Sequence, residues 1–323
     1  MKLVFCGTPQ FAVPSFEALR KAGHEIALAV TQPDRPVGRH QQMTAPPVKA
    51  AALEAGIPVT QPEKIRNNAE FRSQLEKIAP DAIVVVAYGR IIPAWMLALP
   101  RLGCINLHGS LLPKYRGAAP IQWAVAMGEA VTGNTTMLLE EGLDTGSILL
   151  RQEVAIGPEL TAADLFVTLA EAGAPLLVET LAGLENGTIL PQPQDHAQAT
   201  LAPILTRDDG RMDFFRRTAA ELKNRWRGFQ PWPGAFTELD GKKLIAHRIT
   251  VTDGAGLPAT SLPGQIQVEN HRLFVACAAG SWLEFLEVQL EGKKRMSAGD
   301  FLRGNPLPAT ARLGAATFET KDQ

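Results

Sequence analysis

Short apolar runs ending at glycine or a turn, each followed by a stretch with helical spacing, recur through residues 2–188, and this alternation constrains the fold more than any other feature. KLVFCG, EIALAVTQ, IPVTQ, DAIVVVAY and GCINLH are short and apolar on both sides, as strands are when helices cover both faces of a parallel sheet. Between them, PSFEALRKAG, VKAAALEAG, NNAEFRSQLEKIA and PAWMLAL carry apolar residues at helical spacing, and Gly23 stops the first. A helix near GAAPIQWAVAMG, the strand TTMLLE, an extended segment ILLRQEV and the helix TAADLFVTLAEAGAPLLVETLAGL complete the pattern. It predicts an α/β first domain over 1–188 with a doubly wound, mostly parallel, Rossmann-like sheet.

The chain has 323 residues, enough for a second core. GTILPQPQDHAQATLAPILT is rich in proline and lacks a period, so residues 189–206 read as a linker. Beyond it, MDFFRRTAAELKNRWRGF suits an amphipathic helix. TELDGKKLIAHRITVTD, GQIQVENHRLFVACA and SWLEFLEVQL then alternate with DG and NH turn signals. A smaller β-barrel domain of oligonucleotide-binding type is expected over 207–314, with a tail at 315–323. No apolar run approaches the ~20 residues of a membrane helix. The N-terminus turns at Gly7 to Pro9 before a signal-peptide core can form, so a cytoplasmic protein with no membrane partner is expected.

Several chemistries are disfavoured. Cys6, Cys104 and Cys277 lie far apart with no metal-knuckle spacing and read as small core residues. No P-loop and no HExxH occur. The turn GTPQF after the first strand lacks GxGxxG, which argues against NAD despite the fold. GAGLPA at 254–259 fits a related pattern by letter, but it contains Pro258 and precedes no helix.

The chemistry centres on INLHGS. Side chains alternate along a strand, so Asn106 and His108 share one side of the chain while Ile105 and Leu107 take the other. Ligands of open α/β sheets bind beyond the carboxyl ends of the strands, where this segment emerges. In EEGLDTG, Asp144 stands between two glycines in a loop whose backbone can approach a ligand closely. An amide, an imidazole and a carboxylate are what acyl transfer to an amine requires: an oxyanion donor, a proton-transfer group and a group that sets their charge state. An isolated Asn-x-His is more often a satisfied core histidine beside a turn-forming asparagine. The adjoining SLLPKYRG loop adds backbone groups and apolar Leu111 and Leu112 suited to a flat heterocycle.

NLHGSLLPKYRGAAPIQWA together with LEEGLDTG resembles the formyltransferases that use 10-formyltetrahydrofolate, and the resemblance runs over nearly all of residues 2–313. The Asn, His and Asp of that family match Asn106, His108 and Asp144, which the resemblance implies are catalytic. It also implies 10-formyltetrahydrofolate as co-substrate, with no metal. The pterin pocket is expected from Ser110, Leu111, Leu112 and Pro113, from backbone near Arg90, Ile91 and Ile92, and from Leu143 beside Asp144. TQPDRPVGRHQQMTAPPVKA, residues 31–50, looks like an insert of the methionyl-tRNA branch, and NRWRGFQPWPGAF resembles the start of that branch's C-terminal domain. That branch implies initiator methionyl-tRNA as partner, formylation of its α-amine for translation initiation, and a monomer. A formyltransferase acting on an amino-sugar nucleotide remains the alternative, and a non-catalytic RNA- or nucleotide-binding module is a third reading.

The net charge of −1 conceals an asymmetry: residues 1–203 hold 15 Lys and Arg against 19 Asp and Glu, and 204–323 hold 17 against 14. Contacts to tRNA are expected from Arg39 in the insert and from Arg207 and Arg225 in the basic C-terminal part. Family members commonly continue this insert as GRGKK, whereas here His40, Gln41 and Gln42 follow Arg39. A shallower salt dependence of tRNA affinity is expected from this loop. Trp226 and Trp232 read as core residues rather than stacking platforms.

Overall fold

In the first domain five strands run parallel, as their apolar composition predicts. These are β1 (Lys2–Gly7), β2 (Glu25–Val30), β5 (Val59–Thr60), β6 (Ala82–Val86) and β7 (Cys104–His108). A short antiparallel hairpin, β3 (Arg35–Val37) with β4 (Gln42–Thr44), rises from the insert after β2. β8 (Val131–Leu138) and β9 (Ile148–Ala155) add antiparallel strands at one edge, giving the order β5-β2-β1-β6-β7-β8-β9. The chain runs outward from β1 to β2 and β5, then returns to place β6 on the other side of β1. The topological switch therefore lies between β1 and β6, and the crevice it opens lies at their carboxyl ends. The computed structural model describes residues 1–38, 41–258, 261–308 and 310–314.

The helices of this domain are α1 (Val13–Lys21), α2 (Pro47–Glu54), α3 (Ala69–Ile78), α4 (Ala94–Leu97), α5 (Pro120–Ala126) and α6 (Ala162–Glu185). Proline in the first turn of α1 and α2 presets the backbone there, and Asn68 caps α3 by accepting from the Phe71 amide at 2.9 Å. One face of the sheet buries Leu3, Phe5, Val84 and Ile105 against α1, α2 and α6; the other buries Val4, Cys6, Ile83 and Val85 against Phe71, Leu75 and Met96. Cys104 is buried in that second layer, and its burial pushes the thiol up to about 12, as a core residue requires. α6 is long and apolar enough to cross a membrane by length and composition. Asp164, Glu171 and Glu179 interrupt its sequence, which hid that length, and Leu165, Leu169, Leu177 and Leu181 are buried in the core.

The chain divides into two compact units, 1–121 with 130–157 and 164–204, and 122–129 with 158–163 and 205–323. Of residues 189–206, expected as a linker, 189–204 pack within the first unit and 205–206 belong to the second. Gln192 exchanges backbone hydrogen bonds with Ile148 at the start of β9, 2.8 Å in each direction. Proline content marked this segment as irregular, and irregular backbone can still pack. The second unit forms an antiparallel sheet from β10 (Phe236–Leu239), β11 (Lys242–Thr252), β12 (Ile266–Glu269), β13 (Arg272–Ala276) and β14 (Trp282–Leu290), in the order β10-β11-β14-β13-β12. A two-residue strand, β15 (Met296–Ser297), joins β14.

α7 (Ala219–Gly228) begins with the Thr218–Glu221 capping box, and α8 (Ala298–Gly304) follows β15. Phe214, Leu222, Leu244, Phe285 and Phe301 fill the core of this unit. Trp226 packs there as expected, donating Nε1–H to the Ala246 carbonyl at 3.1 Å. Trp232 does not: it is 52% exposed. The expected tail at 315–323 lies outside the described residues.

Candidate active site

β7 ends in the interior of the sheet beside β6, with Asn106 opposite Val85, so its last residues emerge at the carboxyl edge one strand from the switch point. The period-two alternation holds: Ile105 and Leu107 enter the core, while Asn106 and His108 face the other way. Asn106 is half-buried, and its amide makes no hydrogen bond among the described residues. His108 is 6% exposed, and its Nε2 lies 2.9 Å from the Tyr115 carbonyl. A carbonyl only accepts, so Nε2 carries a hydrogen and Nδ1 is the ring atom left to act. Nδ1 faces Asp144 Oδ2 at 3.7 Å. Strand geometry and the 140–146 loop thus bring His108 and Asp144 together, with Asn106 two residues back on the same side.

Asp144 adopts φ 50°, a left-handed conformation uncommon for a residue with a side chain. Two contacts hold it, and a third holds its loop at Gly146. The Gly117 amide donates to Oδ2 at 2.8 Å. Gln194 Nε2 donates to the Asp144 carbonyl at 2.8 Å and to the Gly146 carbonyl at 2.7 Å. Gln194 in turn accepts from Arg116 through Nη2 at 2.6 Å and Nε at 3.1 Å, and Arg116 Nη2 also lies 3.1 Å from His196 Nδ1. Gln194 and Arg116 are both buried.

Two glycines are required here. A Cβ on Gly117, at φ 120°, would sit 2.7 Å from the Ala202 carbonyl, and one on Gly146 would collide with the Leu138 carbonyl. Sequence reasoning missed Gln194, Arg116 and Thr200, whose hydroxyl accepts from the Tyr115 amide at 2.8 Å. The basic pair Lys114 and Arg116 in the loop after β7 was the one signal the sequence offered.

The residues expected at the pterin pocket divide by orientation. Ile91 (90% exposed) and Leu143 (63%) present apolar side chains to solvent at the carboxyl edge. Leu111 and Pro113 are half-buried, and Leu111 reaches toward Gly133 on β8. Three others are turned inward and can meet a ligand only through backbone. Ser110 is fully buried and donates its hydroxyl to the Lys114 carbonyl at 2.6 Å. Leu112 packs with Met137 and Ile148, and Ile92 joins the core beside Tyr88. Arg90 uses its guanidinium to hold neighbouring loops, donating to Gln32 Oε1 at 3.1 Å and to the Glu63 carbonyl.

Of the residues expected to meet tRNA, Arg39 lies outside the described residues. Arg207 is exposed at the start of a 3-10 turn, Arg207–Gly210. Arg225 is half-buried: it donates to the Asp209 carbonyl at 2.9 Å and stacks on Phe229 and Trp123, at 4.7 and 5.6 Å. Burial lowers its pKa. This guanidinium is engaged within its own unit, a placement that its position in a run of basic residues did not reveal. No group of three His, Cys, Asp or Glu placed to hold a metal ion occurs among the described residues.

The chain is similar to a methionyl-tRNA formyltransferase of Acidobacterium capsulatum, 68% identical over 98% of this chain and 100% of its own length. A second of that name, from Koribacter versatilis, is 58% identical over 97% of this chain and 99% of its own. Among solved structures, the N-formyltransferase of Helicobacter canadensis in complex with folinic acid and dTDP-3-aminofucose superposes with a TM-score of 0.64 at 19% identity, covering 88% of this chain and 98% of that one. At that identity the likeness is one of fold. Residues 1–181 match the formyl transferase family and residues 204–306 match its C-terminal domain, so the chain belongs to the formyl transferases.

Proposed function

We propose that the chain transfers the formyl group of 10-formyltetrahydrofolate to the free α-amino group of methionyl-tRNA, giving N-formylmethionyl-tRNA for translation initiation, and that it acts as a cytoplasmic monomer. The observation that carries this reading is the meeting of His108 with Asp144 beside Asn106, in a chain matched over its length by relatives named for that reaction. The amine nitrogen attacks the formyl carbon and a tetrahedral intermediate forms, its oxygen negative. The Asn106 amide, half-buried at the end of β7, donates to that oxygen. His108 Nδ1, when protonated, gives the second donor, and the Asp144 carboxylate 3.7 Å away stabilises the charge on the ring. Collapse breaks the bond from the formyl carbon to N10. The proton lost by the amine passes by way of Asp144, directly or through water, to the departing N10, so charge and protons balance.

The folate is held at the carboxyl edge of the sheet, with Ile91 and Leu143 as its apolar flanks and backbone of 110–113 as polar partners. These exposed side chains fit a flat heterocycle, which would cover apolar surface that is otherwise wet. Arg39 and Arg207 are assigned to tRNA phosphates, and Arg225, bonded to the Asp209 carbonyl, supports the turn that carries Arg207. The test supplies labelled 10-formyltetrahydrofolate with methionyl-tRNA, with a 4-amino-sugar nucleotide and with neither. Label on the tRNA alone is the expected result; label on the sugar, or on no acceptor, would overturn the reading.

A further inference from the structure

Asp144 occupies a left-handed backbone conformation that a residue with a side chain seldom adopts, and such geometry persists only where the surroundings fix it. The group that fixes it comes from far along the chain. Both hydrogens of the Gln194 amide are spent on this loop, one on the Asp144 carbonyl at 2.8 Å and one on the Gly146 carbonyl at 2.7 Å. The amide cannot flip, because its oxygen accepts from Arg116, and a guanidinium only donates.

Arg116 in turn lies between two residues of the site. Tyr115 offers its carbonyl to His108, and Gly117 gives its amide to the Asp144 carboxylate. The backbone of Arg116 is itself tied to the segment that carries Gln194, through Thr200 and Ala202 at 2.8 and 2.7 Å. Gln194 therefore secures the main chain of Asp144 to the same short stretch that orients His108.

We propose that Gln194 is a positioning residue for formyl transfer: it holds the Asp144 backbone left-handed so that the carboxylate meets His108 Nδ1. This rests on the role given to Asp144 above. A residue that only stabilised the fold would show the same burial, so the test must separate the two.

Single-turnover formylation of methionyl-tRNA is measured for the wild type, Gln194→Met, Asp144→Asn and the double variant, with thermal melting of each. Gln194→Met is expected to lower the rate constant about tenfold at saturating folate, since small misplacements of reacting groups have effects of this size or larger. Half-saturation by the folate donor should stay unchanged. In the Asp144→Asn background the same change should cost less than about twofold, because residues acting through one group are not additive. Gln194→Glu keeps its pairing with Arg116 but, ionised, donates to neither carbonyl, so it should lose rate like Gln194→Met while melting closer to the wild type. Equal losses in both backgrounds, or a Gln194→Glu protein of wild-type rate, would overturn the proposal. An Asp144→Asn protein of wild-type rate would instead remove the reading of Asp144 on which it stands.

Discussion

The loop after β7 and the insert after β2 leave the sheet at the same carboxyl edge, yet they are anchored in different ways. In the first, His108, Ser110 and Arg116 are buried, and hydrogen bonds to backbone and to Gln194 satisfy them along its length. In the second, the base is secured by side chains and the hairpin above it by backbone pairing of β3 with β4. Lys49 Nζ donates to both oxygens of Asp34 at 2.8 Å and to Gln61 Oε1 at 2.7 Å, while Gln61 donates to Asp34 at 2.8 Å and to the Gln32 carbonyl at 2.7 Å. Above that clamp, Gln41, Gln42 and Met43 stand exposed. The contrast follows from what each loop does in the proposed reaction. Bond-making tolerates errors of a fraction of an ångström, so its polar atoms restrain one another. Contact with a long polyanion draws on charge that reaches into solvent, so only the root needs fixing.

The largest expected effect tests the restrained loop. Asn106→Ala and His108→Ala should each lower turnover about 10²- to 10³-fold with melting nearly unchanged, the usual cost of a lost oxyanion donor. A variant that kept more than a third of wild-type turnover would break the contrast. Asp144→Asn preserves shape and removes charge; a loss of about 10²-fold is expected, together with an altered pH–rate profile, and an unaltered profile would count against its role. Gly117→Ala should melt lower by the equivalent of about 1–3 kcal/mol, because its Cβ would meet the Ala202 carbonyl at a backbone angle unsuited to alanine. Wild-type melting would mean that the 115–117 stretch yields more easily than its hydrogen bonds imply.

The insert should respond more gently. Lys49→Met opens the clamp and should raise the KM for methionyl-tRNA severalfold while leaving folate use alone; equal effects on both substrates would erase the distinction between the loops. Hydrogen bonds from Lys49, then from Gln61, hold the Asp34 carboxyl below its usual range. Its folded value is depressed, so the clamp contributes fully above the ordinary carboxylate range and weakens as pH falls through the lowered value. Hydrogen exchange at Gln32 to Asp34, followed down in pH, checks that direction. Arg39→Ala is expected to have the smallest effect, about two- to fivefold on tRNA use and most evident at low salt.

Apolar runs with glycine stops revealed every strand of the parallel sheet, because burial on both faces is a composition that sequence displays directly. Asn106 and His108 were legible for a related reason, since a period of two decides which side chains share a face. The β3–β4 hairpin was not, as RPV and QMT carry no apolar alternation. Orientation within a loop was equally hidden: Ser110 and Ile91 were both assigned to the pocket, though one is sealed and the other almost wholly exposed. Gln194 lay in a stretch with no period at all. Its partners stand 48 to 78 positions away, and nothing local distinguishes it from its neighbours Gln192 and Gln198.

The return of residues 189–204 to the first unit has a practical side for anyone exchanging parts between such proteins. A splice placed after α6, where the regular secondary structure stops, would discard Gln194, Thr200 and Ala202 and leave the 115–117 stretch without its backing. Grafts of a foreign C-terminal module should keep native sequence through Ile204 and change it only from Leu205 onward.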